Sequence, residues 1–310
     1  MTFTIESIKY RVGENQKAVQ QICIENGRDY ERLIARSGFK FVHRTGESDQ
    51  IFFARFINEN LDISDGDFII LVNQSMPSLI PGKVPKLFAD RLDARSIGFL
   101  EVSDGCTGFA RALIIANALL DSKAASRVHI TCAEKYSQFY DDRQESVSPI
   151  FSDAISITTL SGGGRNHVLG HAFLNTFEDS HVICIDRNEN GSDGLKMEGA
   201  RVLAWALREV PKVVSKLLGE HGLSVKDIDS WYVHQGSKIV VETLLESLGV
   251  GSLDNFTAAH LGNTVSSTIP IALSDSGSIL REPFIAKGYS VILGFGVGLS
   301  IIAILLEVTS

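Results

Sequence analysis

The sequence predicts an α/β layered protein, and three observations carry that prediction. Short β-branched apolar runs of strand length recur along the chain. Longer segments with helical spacing separate them. The apolar runs are unbroken rather than alternating, as in sheets covered on both faces.

The strand-like runs are FIILVNQ (68–74), VHITCAE (128–134), ISITTLSG (155–162), HVICID (181–186), SWYVHQG (230–236) and a glycine-interrupted stretch over 290–308. Helical spacing marks 106–122, where Phe109, Leu113, Ile114 and Leu120 share roughly one face. It recurs over 199–222 and 237–249, each closed by glycine. An early helical run carries Cys23. The polar stretch 137–149 and the glycine run 161–171 read as surface loops. A strand followed by a reactive-type residue at a helix start occurs around 98–122 and again around 230–249, compatible with a duplicated α/β unit.

Composition narrows the function. With 44% hydrophobic and 21% charged residues the chain can bury a core and is not disordered. A net charge of −8 with no Lys/Arg run argues against a nucleic-acid partner. No apolar stretch is long enough for a membrane span, and the N-terminus lacks the apolar core of a secretory signal. Four cysteines without a C-x-x-C pair suggest neither a disulfide framework nor a zinc site, so no metal is expected and the compartment reads as cytoplasmic.

The strongest local signal is SDGCTGFARAL. A strand-like run ends in Ser-Asp-Gly, and Cys106 follows in the first turn of a long helix. Unpaired N–H groups and the helix dipole at that end stabilise a thiolate, so the thiol pKa is expected to fall. The same N–H groups suit a developing oxyanion. Cys23, Cys132 and Cys184 read as small buried core residues.

His234 stands at a second strand-to-helix junction, and Asn263 in a Gly-Asn-Thr turn before a helix containing Pro270. Taken singly, such residues are usually a hydrogen-bonded structural histidine and a turn former. Together with Cys106 they permit two chemistries. One is hydrolysis, as in papain-like proteases, which would call for a different cysteine context and usually a disulfide-bonded chain. The other is acyl transfer to the thiolate, with neutral His and Asn donating hydrogen bonds to the enolate of a second thioester.

Four motifs in order resemble the β-ketoacyl-acyl-carrier-protein synthase III group of thiolase-fold condensing enzymes. They are Gly105-Cys106-Thr107-Gly108-Phe109, His234-Gln235-Gly236-Ser237, Gly262-Asn263-Thr264 running to Ile269-Pro270, and Gly294-Phe295-Gly296-Val297-Gly298-Leu299. The resemblance spans nearly the whole chain. It implies a five-layered αβαβα thiolase fold of two similar halves, taken as 1–165 with the cysteine and 166–310 with the histidine and asparagine. It implies a homodimer, acyl-coenzyme A as substrate with no cofactor, and possible use of an acyl carrier protein. It assigns Cys106, His234 and Asn263 as catalytic, and the backbone N–H groups of Cys106 and Val297 to an oxyanion hole. Val297 and Phe109 would wall the pocket, and Arg36, Arg143 and Ser237 would contact coenzyme A.

The departures from the family pattern are specific. Val297 replaces a usual glycine and Ser237 a usual asparagine. Phe151-Ser152-Asp153-Ala154 replaces a glycine-rich strand. The segment after His234 carries Glu242 and Glu246 with only Lys238 basic, so an acidic carrier meets fewer cations. The expectation is therefore a decarboxylative condensing enzyme of a specialised pathway, making a secondary metabolite or signal. The alternatives are acyl transfer from Cys106 to an oxygen or nitrogen nucleophile, or a subunit of a heteromeric condensing enzyme.

Overall fold

A computed structural model describes residues 2–75, 85–88, 96–144, 146–187, 193–251, 255–280, 285 and 287–309. In chain order the elements are β1 (Thr2–Val12), β2 (Asn15–Ala18), α1 (Val19–Glu25), α2 (Tyr30–Ser37), β3 (Phe41–Arg44), α3 (Asp49–Asn60), β4 (Phe68–Val72), β5 (Gly98–Val102), α4 (Gly105–Asp121), β6 (Arg127–Glu134) and β7 (Ala154–Gly162). Then come β8 (Asn166–Asn175), β9 (Ile183–Arg187), β10 (Asp193–Met197), α5 (Gly199–Glu220), β11 (Ser230–Val233), α6 (Lys238–Ser247), α7 (Thr268–Leu280), β12 (Gly288–Gly296) and β13 (Ser300–Val308).

The large sheet runs β11-β12-β13-β8-β1-β7-β6-β4-β5. It consists of two similar halves. β1-β7-β6-β4 and β8-β13-β12-β11 repeat one pattern, antiparallel, antiparallel, then parallel. They join edge to edge where Thr2 and Phe3 pair with His167 and Asn166. β9 with β10 and β2 with β3 form small separate hairpin sheets.

Strand alternation sorts the side chains into layers. On β4, Ile69 and Leu71 pack under α3, while Ile70 and Val72 face a central layer. On the other half, Trp231 and Val233 of β11 and Val291 and Leu293 of β12 pack under α5 and α6. Tyr232 and Ile292 face the same central layer. That layer holds α4 together with Ile269 and Leu273 of α7. Five layers result: α3, the first half-sheet, α4 with α7, the second half-sheet, and α5 with α6.

α4 lies in the middle because its packing residues are small. A Cβ at Gly108 would collide with Val72 of β4, and one at Gly294 of β12 would come within 3.1 Å of Thr107 Cα. Ala110, Ala112 and Ala116 continue the close contact, each fully buried.

Three sequence readings change. The glycine run read as a loop is a loop only over its first residues, because 166–171 already belongs to β8, paired to β13. The pairing there is non-local, and the glycines masked the alternation. The strand read at 181–186 starts at Ile183, after a 3-10 turn. The strand read at 230–236 stops at Val233, so His234 lies just beyond its end. Among the described residues, no helix is long and apolar enough to cross a membrane.

Candidate active site

Four strands end around the first turn of α4. β4 continues into Gln74, β6 ends in Glu134, β11 continues into His234, and β12 ends in Gly296. By alternation each of these follows central-layer neighbours: Ile70 and Val72, Ile130 and Cys132, Tyr232, and Ile292. The carboxyl ends of strands are where α/β sheets place ligands. Cys106 sits at their convergence, 3% exposed.

The chain closes tightly on the sulfur. Gly105 has φ +44, and a Cβ there would collide with Gln74 Oε1 and lie 3.4 Å from Val297 Cγ2. Gly296 has φ +150, and a Cβ there would sit 3.0 Å from Cys106 Sγ. These are positions where only glycine gives both the dihedral and the clearance. The expected fall in the thiol pKa is overturned. Burial pushes the Cys106 thiol up to about 12, although the backbone N–H groups of Val297 and of Cys106 itself reach the sulfur and pull the other way; Glu134 and Asp104 add to the rise. Desolvation outweighs the helix terminus because the cysteine is almost wholly buried. Asp104 does not cap the helix backbone; it accepts hydrogen bonds from Thr107 Oγ1 at 2.9 Å and from the Arg111 guanidinium.

His234 is held from both ends. Its backbone N–H donates to Leu293 O at 2.9 Å, and its ring stands edge-on to Phe295 at 5.6 Å. Nδ1 lies 2.7 Å from Thr268 Oγ1, which is also 3.0 Å from Val265 O. One hydroxyl proton serves one of the two, and the imidazole tautomer follows that choice. Burial pulls the His234 pKa down to about 3, so the ring is neutral at physiological pH.

Asn263 is fixed by its neighbours on β7's approach. Its N–H donates to Ile150 O at 2.8 Å, and its carbonyl accepts from Ser152 N at 2.9 Å. Its side-chain Oδ1 accepts from Val265 N at 2.9 Å, which leaves the amide –NH₂ as the donor it can offer. Val265, a β-branched residue, is held at φ +56. Such a conformation costs about 1–3 kcal/mol and persists only where the surroundings impose it. Val265 in turn packs in the cluster around Cys106, so the asparagine turn is tied to the cysteine.

Beside Cys106 opens a cavity of about 240 Å³ whose walls include Gln74, Tyr136, Cys184, Ile185, Leu195 and Val297. Tyr136, Ile185, Leu195 and Val297 also pack around the cysteine. Val297 is thus a wall residue of this cavity. Phe109 is not among the lining residues; it packs in the central core, because one helical turn carries the chain from the site into the layer between the sheets. Cys184, read as buried, is half-exposed on a hairpin and lines the cavity. Cys23 and Cys132 are buried as read.

The expected coenzyme A contacts do not share one fate. Arg36 is exposed at the end of α2. That end abuts α6, since a Cβ at Gly38 would collide with Lys238. Ser237 precedes α6 with its hydroxyl not used as a cap, so Arg36 and Ser237 lie at the same rim. Arg143 instead pairs with Asp141 at 3.2 Å and is 86% exposed. Its loop is organised by Arg28, which donates to the carbonyls of Asp142 and Arg143, and by Arg44, which pairs with Asp142. Gln74, Glu134, Tyr136 and Thr268 were missed in the sequence. For Gln74 the signal was a polar Asn-Gln pair at the end of an apolar strand.

Comparisons with known proteins agree with this geometry. Residues 100–176 match the 3-Oxoacyl-[acyl-carrier-protein (ACP)] synthase III family, and residues 218–308 match the 3-Oxoacyl-[acyl-carrier-protein (ACP)] synthase III C terminal family. The chain is similar to the β-ketoacyl-[acyl-carrier-protein] synthase III of Lactococcus lactis subsp. lactis, at 27% identity over 97% of this chain and 98% of that protein. In fold it resembles the 3-oxoacyl-(acyl carrier protein) synthase III of Pseudomonas aeruginosa PAO1, with a TM-score of 0.86 and 19% identity over 100% of this chain and 99% of that one. It also resembles the priming β-ketosynthase from the R1128 polyketide biosynthetic pathway, with a TM-score of 0.82 and 20% identity over 100% of this chain and 97% of that one. The five layers are those of the thiolase fold.

Proposed function

This chain belongs to the 3-oxoacyl-[acyl-carrier-protein] synthase III family of condensing enzymes, and from that premise we propose that it performs a decarboxylative Claisen condensation through an acyl group carried on Cys106. The observation that carries the reading is the buried cysteine site, with two backbone N–H groups on the sulfur and a neutral His234 linked through Thr268 and Val265 to Asn263, whose amide –NH₂ remains as a donor.

Cys106 Sγ attacks the carbonyl carbon of an acyl-coenzyme A. A carbon–sulfur bond forms to the enzyme, and the N–H groups of Cys106 and Val297 hold the oxyanion. The bond to coenzyme A then breaks, and the departing thiolate takes the proton that the cysteine gave up. A malonyl-type thioester binds next. Its bond to the carboxylate breaks, carbon dioxide leaves, and the electron pair remains as an enolate. When Thr268 donates to Nδ1, the neutral ring donates from Nε2 to the enolate oxygen, together with the Asn263 amide. The enolate carbon attacks the acyl carbon, a carbon–carbon bond forms, and the Cys106 thiolate leaves and is reprotonated.

Charge bears on the carrier of the second substrate. Lys238 of α6 lies 3.7 Å from Glu242 and is already paired. A strongly acidic carrier gains little there, which favours an extender on coenzyme A and a specialised pathway. β5 and β11 are the outer strands of the large sheet among the described residues, and an open edge of this kind is where a homodimer would pair.

The test is direct. The protein is incubated with acyl-coenzyme A donors, and the mass of the Cys106 peptide is read; malonyl-coenzyme A is then added and carbon dioxide followed. Acylation followed by carbon dioxide release supports the reading. Acylation discharged only by an alcohol or amine replaces it with simple acyl transfer, and absence of acylation rejects both.

A further inference from the structure

Resting on the condensing reading, we propose that Gln74 is a specificity-determining residue that selects an acyl group bearing an oxygen acceptor near its thioester, of the 3-hydroxyacyl or 3-oxoacyl class, over a plain alkanoyl chain. The juxtaposition behind this is a fixed amide donor on the wall of the cavity that adjoins the Cys106 cluster.

Gln74 is held at both ends. Its backbone N–H donates to Glu134 Oε2 at 3.1 Å, as does that of Ser75 at 3.1 Å. Glu134 is fully buried and also accepts from Ser266 Oγ at 3.2 Å. The side-chain carbonyl accepts from Tyr136 Oη at 2.9 Å. Tyr136 is 1% exposed, and a buried phenol must find a partner. Donation from the phenol to Oε1 turns the –NH₂ of Gln74 away. Among the described residues it has no hydrogen-bond acceptor, and Gln74 lines the cavity.

The position is close to the chemistry. Gln74 Oε1 packs on Gly105, where a Cβ would collide with it, and Gly105 precedes the nucleophile. The amide therefore lies beside the first carbons of an acyl group on Cys106, not at the far end of the chain. The rest of the cavity sets Ile183, Ile185, Leu195 and Val297 beside Ser103, Tyr136, Ser180, Cys184 and Gly298; of these polar side chains, Tyr136 is tied to the Gln74 carbonyl. An alkanoyl chain fills that space but strips water from the –NH₂ without replacing it. A β-oxygen replaces it. A neutral hydrogen bond contributes roughly a tenfold preference on this scale, and the loss on removing the acceptor follows the rule for sites built to bind a polar group.

The test uses the full chain and a matched pair of donors, butyryl-coenzyme A and 3-hydroxybutyryl-coenzyme A. The second-order rate constant for Cys106 acylation is read by mass for each. The expected result is about a tenfold preference for the hydroxylated donor. In Gln74→Met the ratio is expected to fall to near one. In Tyr136→Phe, which releases the Gln74 carbonyl but keeps the amide, it is expected to fall part of the way, and this second variant decides the matter if the first does not fold. A wild-type ratio at or below one overturns the proposal while leaving the condensing reading intact. So does a ratio that neither variant alters. No acylation from either donor overturns the condensing reading, and the proposal with it.

Discussion

The two halves of the molecule share a strand pattern and divide the chemistry. In the N-terminal half, β4 and β6 end at Gln74 and Glu134; in the C-terminal half the equivalent β11 and β12 end at His234 and Gly296. Each half sends one helix into the central layer. α4 begins at the nucleophile, whereas α7 begins at Thr268, which holds the imidazole. Burial acts on both halves with opposite results. It pushes Glu134 up to about 7 and pulls His234 down to about 3. Each shift favours the uncharged form. Burial at a centre shared by two copies of one scaffold thus keeps Cys106 protonated at rest and His234 neutral.

The division of labour can be broken most severely at the catalytic residues. Cys106→Ala is expected to abolish acyl-enzyme formation, by at least about 10³-fold, read as the intact mass after incubation with donor. Asn263→Ala is expected to keep the acyl-enzyme but slow condensation by about 10²–10³-fold, read as carbon dioxide release. Condensation at the wild-type rate in Asn263→Ala would remove the C-terminal half's assigned role.

Next in size is a pH effect. The His234 pKa lies near 3 in the folded protein and near 6.5 unfolded. In that window the unfolded chain binds the extra proton, so His234 contributes stability that is present above pH 6.5 and lost as the pH falls toward 3. The loss is on the order of 5 kcal/mol. Glu134, raised to about 7, gives the opposite slope between its ordinary value of 4.5 and 7, so the measurement is a difference. Denaturant midpoints of the wild type and of His234→Asn are compared across pH 3–7, with Glu134 present in both. The wild type should lose more stability on acidification; parallel curves would contradict a buried neutral histidine.

The smallest effect contrasts one glycine from each half. Gly296→Ala places a Cβ 2.8 Å from Cys106 Cβ at φ +150 and should cost about 2 kcal/mol. Gly162→Ala, on β7, meets nothing within 4 Å and should leave stability within about 1 kcal/mol of wild type. Equal denaturant midpoints for the two variants would mean that β12 does not press on the cysteine.

Local pattern made much of this legible. The α/β class, the three long helices and most central strands followed from periodicity, because one face or both of each element is buried against another. Cys106 and His234 were legible as residue types at strand-to-helix junctions, and Asn263 as one in a Gly-Asn-Thr turn before a helix. β8 was not, since its pairing with β13 is non-local and the glycines just before it, with Gly170 inside it, read as a loop. Phe109 was misplaced because spacing along a helix says which residues share a face but not what that face meets. Arg143 was singled out as a cation, yet its guanidinium turns to Asp141 in its own loop.

By itself, the sequence determined the layered class, the order of the motifs and the choice of Cys106 as the candidate nucleophile, because these are written in neighbouring residues, their period and the motifs around them. Only the tertiary structure decided the ionisation of the site. A helix start argues for a thiolate, but the closing of four strand ends over Cys106 removes water and reverses the sign. It also decided that Gln74 stands at the acyl cavity, since its partners Glu134 and Tyr136 lie about sixty residues away in the chain and meet it only when β4 and β6 pair side by side.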